Sequence, residues 1–330
     1  MIVSWNTTNA CNMYCAHCYR DAGCKAEDEL STAEAKKMLG EIARAGFKIM
    51  IFSGGEPLLR EEFFEIMSYA HRLGFKWGMT SNGTLITDKI AMKLQECGMG
   101  TISVSIDGGE QTHDAFRRTP GGYKKAVAGI KALMRQGFKE VQVTSVITKK
   151  SIGELDELFE LMKELDVDSW RVIGIEPIGR ANTLDDYMLG YDEQRKMLNF
   201  IRDKRREGWS VLYGCSHYLG LEYEREVRDW YFLCNAGLYT ASIMANGDIT
   251  ACLDVERRPE TIQGNILRDD FTKVWRERFE IYRTPLWTRS ERCEGCDERD
   301  FCEGGSFHSW DLDRNEQKVC LKQKEKMYVY

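Results

Sequence analysis

Residues 2–18 read Ile-Val-Ser-Trp-Asn-Thr-Thr-Asn-Ala-Cys-Asn-Met-Tyr-Cys-Ala-His-Cys. A short apolar strand pattern, Ile2–Trp5, runs directly into Cys11, Cys15 and Cys18, which spell C-x3-C-x2-C. Three thiolates on one loop can hold three irons of a [4Fe–4S] cluster and leave the fourth iron open to a small molecule. A ferredoxin fills that fourth position with another cysteine and only moves electrons.

Working outward, the first ~200 residues alternate strands and helices at the βα spacing. Apolar runs at Ile2–Trp5, Ile49–Phe52, Trp77–Thr80, Ile102–Ile106, Val141–Ile147 and Trp170–Ile175 predict six strands. Ser31 followed by Glu34 is a capping-box pattern that opens the first helix. Gly46-Phe47, Gly74-Phe75, Gly98-Met99 and Gly137-Phe138 read as helix ends, each a left-handed glycine with an apolar residue packing back on the last turn. About six βα units result. They fit either a doubly wound sheet or a partial barrel, and periodicity does not choose between them. The unusual residues fall after strands, at the carboxyl ends where both architectures place their chemistry. After about Gly208 the alternation stops, and residues 209–330 hold seven of the twelve cysteines. A boundary is therefore expected between 1–208 and 209–330.

With 330 residues and a net charge of −6, the chain can bury a large core and has no dense Lys/Arg run marking a nucleic-acid footprint. No signal peptide opens it, and no apolar run approaches the ~20 residues of a membrane span. We therefore expect a cytoplasmic protein without membrane or nucleic-acid partners, in which clustered cysteines indicate metal before disulfides.

Ser53-Gly54-Gly55-Glu56-Pro57 leaves the second strand, about 35 residues after the cysteine triplet. Adjacent glycines admit close backbone approach, and Glu56 can accept from an ammonium group. Alone this is an ordinary turn. Together with the triplet, and His17 just before its third cysteine, it resembles the radical S-adenosylmethionine (SAM) superfamily. The resemblance implies an α/β fold, a partial (βα)6 TIM-like barrel open on one side plus a smaller cysteine-rich C-terminal domain. It also implies that Cys11, Cys15 and Cys18 hold a SAM-binding [4Fe–4S] cluster, with Gly54, Gly55, Glu56 and Pro57 near the SAM amino group. Thr80-Ser81-Asn82-Gly83 and Ser103, Ser105, Ile106, Asp107 and Gly108 match the family's ribose and carboxylate contacts. His17 is expected against the adenine. Arg117 matches a carboxylate-binding arginine, although a solvated helix-end arginine is an equally good reading. The remaining histidines, at 71, 113, 217 and 308, read first as surface or core residues.

Near the far end, Cys293-x2-Cys296-x5-Cys302 is followed by Cys320. From spacing alone, four soft ligands suit zinc or a complete Fe–S cluster. Beside the first motif they resemble SPASM-type extensions, which implies an auxiliary [4Fe–4S] cluster. Such domains carry another cysteine four residues after the third, where this chain has Ser306. Cys234 and Cys252 match part of a further cluster's motif, and Cys215 is a candidate replacement ligand. One auxiliary cluster is the expectation, and a second stays open. Cys24 and Cys97 read as free thiols.

The family's reaction is reductive cleavage of SAM to methionine and a 5′-deoxyadenosyl radical, fed by a one-electron donor such as flavodoxin or ferredoxin. No catalytic acid or base stands out in the sequence. Two substrate classes share the architecture. Peptide maturases act on a precursor, and many carry an added N-terminal peptide-binding domain, which we do not expect in a chain that begins at strand one. Tetrapyrrole-modifying enzymes of the siroheme-dependent heme pathway resemble this chain in the 4–11 opening and in the C-x2-C-x5-C-Gly-Gly ending. That resemblance points to a didecarboxysiroheme deacetylase or a related step. Arg171 or Arg180 would then bind a substrate carboxylate, and His217 or His308 would be an axial iron ligand. A non-enzymatic Fe–S or zinc-binding protein is the remaining alternative.

Overall fold

The structure, a computed structural model, describes residues 1–214, 217–323 and 327. The strands β1 (Ile2–Asn6), β2 (Ile49–Ser53), β3 (Lys76–Ser81), β4 (Met99–Ser105), β5 (Glu140–Ile147) and β6 (Ser169–Gly174) all run parallel. They stand side by side in chain order. A doubly wound sheet reverses its strand order partway. Sequential order puts every right-handed crossover on the same face, so the sheet curls into part of a barrel. The helices between them are α1 (Thr32–Arg44), α2 (Phe63–Arg72), α3 (Asp88–Glu96), α4 (Glu110–Arg117), α5 (Gly122–Gln136) and α6 (Leu155–Leu165).

Alternation along the strands sets the two faces. Val3, Trp5, Met50, Phe52, Trp77, Met79, Ile102, Val104, Val141, Val143, Trp170 and Val172 are buried in the main core beside helix residues such as Met38, Leu39 and Ile42. Their neighbours Ser4, Ser53, Thr80, Ser105, Thr144 and Arg171 point the other way and line a cavity. Ser105, Thr144 and Arg171 are register partners on adjacent strands, a polar row across the inner face. A period of two thus makes one face of the sheet core and the other face site.

The capping box at Ser31 forms, with reciprocal bonds between Ser31 and Glu34. Gly46, Gly74, Gly98 and Gly137 all have positive φ, as their sequence context predicts. β4 begins at Met99, three residues before the predicted Ile102, because pairing with Trp77 starts as soon as Gly98 ends the helix.

The sheet has ten strands instead of six. After α7 (Tyr191–Arg206), β7 (Val211–Tyr213) adds to β6 in parallel. Following α8 (Leu221–Val227), β8 (Thr240–Ile243) adds to the opposite edge beside β1, and β9 (Asp248–Thr250) and β10 (Gly264–Asn265) continue antiparallel. The chain therefore passes residue 208 without leaving the sheet. Strands of two to four residues are too short to register as periodicity. No helix among the described residues is long and apolar enough to cross a membrane.

One buried ion pair organises the crossing from β7 to β8. Glu224 and Arg228, one turn apart on and just beyond α8, are almost completely buried, with Nη1 2.7 Å from both carboxylate oxygens. Glu224 also accepts from the Leu219 and Phe232 amides, and Arg228 donates to the His217 carbonyl. Both carboxylate oxygens and both terminal guanidinium nitrogens have partners, so removing one side chain strands the other in a low dielectric. Arg228→Met is expected to cost about 3–5 kcal/mol, read as a lowered urea midpoint.

Candidate functional site

The loop after β1 is fastened before it reaches its cysteines. The Thr7 amide donates to the Ser53 carbonyl, Gly55 to Thr8, and Glu56 to Ala10, each at 2.8 Å. A Cβ on Gly54 would stand 2.7 Å from the Thr8 carbonyl, and one on Gly55 only 2.2 Å from that of Ala10. The paired glycines thus let the turn after β2 pass against the cysteine loop itself. Glu29 Oε1 accepts from Thr8 Oγ1, the Asn9 amide and the Ala26 amide. Buried Arg60 donates to the carbonyls of Thr7 and Leu30. No local pattern in the sequence marks Glu29 or Arg60.

Cys11, Cys15 and Cys18 all line a cavity of about 410 Å³ at the carboxyl ends of the barrel strands. Burial pushes the Cys11 thiol up to about 11 and raises that of Cys15, and the thiols' mutual repulsion adds to both. A metal centre binding here must displace protons. Among the described residues no three His, Cys, Asp or Glu side chains meet around one point as a single ion requires. In a four-iron cluster each cysteine takes its own iron, so three thiols ringing one cavity fit that group.

Glu56 is fully buried, and its carboxylate accepts from Ser81 Oγ at 3.0 and 3.1 Å, the Asn82 amide at 2.9 Å and the Leu58 amide at 3.3 Å. The side chain therefore braces the loop after β3. Gly54, Gly55, Ser81 and Asn82 face the cavity, and Pro57 starts the short turn behind them. Asn82 also donates to Asn12 of the cysteine loop. Burial raises Glu56 to about 7, against those hydrogen bonds.

Beyond β4, Asp107 is buried, taking Arg117 Nε at 2.7 Å and the Val146 amide at 3.0 Å. Burial pushes Asp107 up, but Arg117 and the neighbouring histidines outweigh it and hold the carboxyl at about 2. Arg117 is no solvated helix-end residue: it is 7% exposed, with Nη1 3.9 Å from the Cys15 sulfur. His17 stacks on Phe116 at 4.1 Å, and burial lowers it to about 4, so it is neutral at pH 7. It lines the cavity with Ser105. Ser103 is hydrogen-bonded to Thr144 at 2.6 Å.

After β6, Glu176 bridges two histidines, Oε1 to His217 Nδ1 at 2.6 Å and Oε2 to His308 Nε2 at 2.7 Å. Glu176 and His308 line the cavity, whereas His217 is completely buried behind them. Complete burial behind the wall keeps His217 from the cavity, so the axial-ligand reading does not fit it, and His308 keeps Nδ1 for other partners. Arg171 lies on the polar row and donates to Thr144. Arg180 is turned onto the cysteine loop, donating to the Ala22 carbonyl with its guanidinium 3.8 Å from the Tyr14 ring.

A second cavity, of about 300 Å³, is lined by Cys293, Cys296, Cys302 and Cys320. Burial raises Cys302 to about 12, and the three other cysteines add to the rise. The hairpin β11 (Trp310–Asp311) and β12 (Glu316–Gln317) returns the chain so that Cys320 reaches the other three. Four soft donors around one space fit a complete cluster. Cys234 accepts from the Phe307 amide at 3.4 Å, and Cys252 faces the first cavity beside Asp254. Cys215 lies outside the described residues. Ser306, in the place where a cysteine was expected, is buried and bonded to Ser309. Cys24 is exposed and Cys97 buried, both free.

Comparison with known proteins places this geometry. Residues 5–165 match the model of the radical SAM superfamily, and residues 234–297 match that of the SPASM iron-sulfur cluster-binding domain. An AdoMet-dependent heme synthase of Methanosarcina barkeri is 30% identical, over 92% of this chain and 90% of its own. The mycofactocin maturase MftC of Mycolicibacterium smegmatis is 31% identical, over 92% and 77%. The crystal structure of Streptococcus suis SuiB bound to S-adenosylmethionine superposes with a TM-score of 0.78 at 18% identity, covering 98% of this chain and 77% of that one.

The Glu56 environment has a pH signature. Its folded pKa lies above the unfolded 4.5, so the folded state holds the proton more tightly and stability falls as pH rises from 4.5 to about 7. His17 and His113, lowered to about 4, act in the opposite sense between 4 and 6.5. Comparing wild type with Glu56→Gln cancels their effect. Urea unfolding is expected to show wild type losing, relative to the variant, on the order of 3 kcal/mol between pH 4.5 and 7.5.

Proposed function

The chain belongs to the radical SAM superfamily, and from that premise we propose that this enzyme modifies a carboxylate-bearing side chain of a tetrapyrrole. Iron–sulfur clusters and SAM binding follow from its two matched domains. Bound at the cysteine triplet, the cluster and SAM supply one-electron cleavage to a 5′-deoxyadenosyl radical. In this reading residues 1–208 generate the radical and residues 209–330 carry one auxiliary [4Fe–4S] cluster on Cys293, Cys296, Cys302 and Cys320. Cys234, Cys252 and Cys215 are the candidates for a second. A small one-electron donor such as flavodoxin or ferredoxin would reduce the first cluster.

The chain's own residues then have assignable work. The backbone at Gly54 and Gly55, with Ser81 and Asn82, offers hydrogen-bonding groups for SAM's polar ends, while Glu56 keeps that turn in place. Asp107, locked by Arg117, orients the β4 loop. Neutral His17, backed by Phe116, offers a flat face for adenine and no charge to the radical. The cavity's 410 Å³ lies toward the small end of the roughly 300–1,000 Å³ of ligand sites. SAM bound there would take up much of that space and leave the mouth for a second reactant.

The observation that carries the tetrapyrrole reading is the charge on the cavity wall. Arg20, Arg171 and Arg180 line it beside Arg117, whose charge Asp107 already matches, against two facing carboxylates, of which Glu176 is matched by His217 and His308. Such a wall selects an anionic substrate. The heme synthase relative, matched over most of both chains, agrees with it. The second reading, a peptide maturase, is favoured by MftC and by the SuiB fold.

Anaerobically reconstituted enzyme, supplied with SAM and dithionite, is incubated separately with didecarboxysiroheme, a propionate-bearing iron porphyrin and a precursor peptide. The expected result is 5′-deoxyadenosine together with loss of mass from one of the tetrapyrroles. Nucleoside formation with both tetrapyrroles intact refutes the reading, and a modified peptide replaces it. Arg171→Ala should raise KM roughly 10- to 100-fold, the worth of one charge-assisted hydrogen bond of about 1.5–3 kcal/mol. Cys15→Ala should abolish SAM cleavage.

A further inference from the structure

Arg180 carries the inference. It sits in a 3-10 turn, Gly179–Thr183, shortly after β6 and far in sequence from the cysteines. Its amide donates to the Cys18 carbonyl at 3.1 Å. Gly179, at φ +55°, lies so close that a Cβ there would stand 2.4 Å from Tyr19 Cα and 2.7 Å from the Cys18 carbonyl. The Arg180 Nη2 donates to the Ala22 carbonyl at 3.2 Å, and Tyr14 covers the guanidinium at 3.8 Å. Tyr14, Cys18 and Ala22 span the second half of the cysteine loop, so one arginine touches its whole length.

Nε and Nη1 make no well-aligned hydrogen bond among the described residues, and the guanidinium lies within hydrogen-bonding reach of the Cys18 thiol and the Tyr14 hydroxyl. The nearest carboxylate, Asp21, stands 3.6 Å from Nε and is itself mostly in water, so it screens little. A largely buried cation whose N–H groups reach a metal-ligating thiol acts on the metal. Fe–S potentials respond to net charge, to hydrogen bonds on sulfur and to solvent exposure. A reduced cluster carries one more negative charge than the oxidised one, and a fixed cation stabilises it. Arg117 does the same beside Cys15, but its charge is already matched by Asp107 at 2.7 Å.

We propose that Arg180 is the positioning residue that sets the reduction potential of the Cys11–Cys15–Cys18 cluster, through its largely buried charge and its N–H groups within reach of the Cys18 thiol. Substrate binding is then left to Arg171. The proposal rests on the cluster and not on the substrate assignment.

The test is an anaerobic potentiometric EPR titration of the reconstituted full-length protein. The signal that added SAM perturbs identifies the cluster with the open iron. Wild type, Arg180→Gln and Arg180→Lys are compared, with iron and sulfide measured alongside. The Gln variant should keep its iron and show a midpoint moved to more negative potential. Lys should move part of the way, because it keeps the charge but not the planar donors. A Gln variant with full iron and the wild-type midpoint, or one moved positive, overturns the proposal. Where Gln fails to hold iron, the Lys variant decides: an unchanged midpoint overturns it and a negative shift supports it.

Discussion

The backbone crossing between the loop after β1 and the turn after β2 is the contact on which the rest of this protein depends. The Gly55 and Glu56 amides donate to Thr8 and Ala10 across it, and a single methyl on Gly55 would occupy the place of a carbonyl oxygen. The cysteine loop has no regular secondary structure to hold it, so it borrows the rigidity of two adjacent parallel strands. Arg60 and Glu29 then satisfy carbonyls and amides that a loop at this depth would otherwise leave unpaired. A thiol triplet can ring a cavity only if its loop has one conformation, and this crossing provides it.

Around that fixed loop the charges are arranged in pairs, one between neighbouring elements and one between distant parts of the chain. Asp107 and Arg117 lie at the end of β4 and the end of α4, and Glu176 after β6 meets His308 from the C-terminal region. Each pair consumes a carboxylate that would otherwise repel an anionic ligand. The balance left facing the cavity is cationic although the chain as a whole carries −6. Net charge therefore describes the outer surface, whereas the site is set by which carboxylates are already matched.

The C-terminal region is built into the same sheet instead of hanging beside it. β7 extends one edge and β8 the other, and the Glu224–Arg228 pair fixes the chain between them. This brings Cys252, Asp254 and His308 to the wall of a cavity whose other side is the cysteine loop. A reactant at the mouth would touch both parts of the chain.

The cysteine spacing, the Gly54–Pro57 turn, the capping box at Ser31 and the six long strands were all legible in the sequence, because each is a local signal. Spacing along one loop, φ at a glycine and a period of two are properties of neighbours in the chain. The sequence could not show that the glycines serve the cysteine loop, that Glu56 braces Ser81 and Asn82, or that Arg180 lies on Cys18 while Arg171 stands on the polar row across the cavity's inner face. Nor could it show that Glu176 holds two histidines 41 and 132 residues away. Those pairings are fixed by strand order and by the curl of the sheet, which bring together residues that no local pattern connects. The sequence alone determined the family, and with it the radical chemistry, and singled out three cysteines on one loop; the tertiary structure decided which charges remain unmatched around them, since burial and distance, not residue type, set what a charged group can still do.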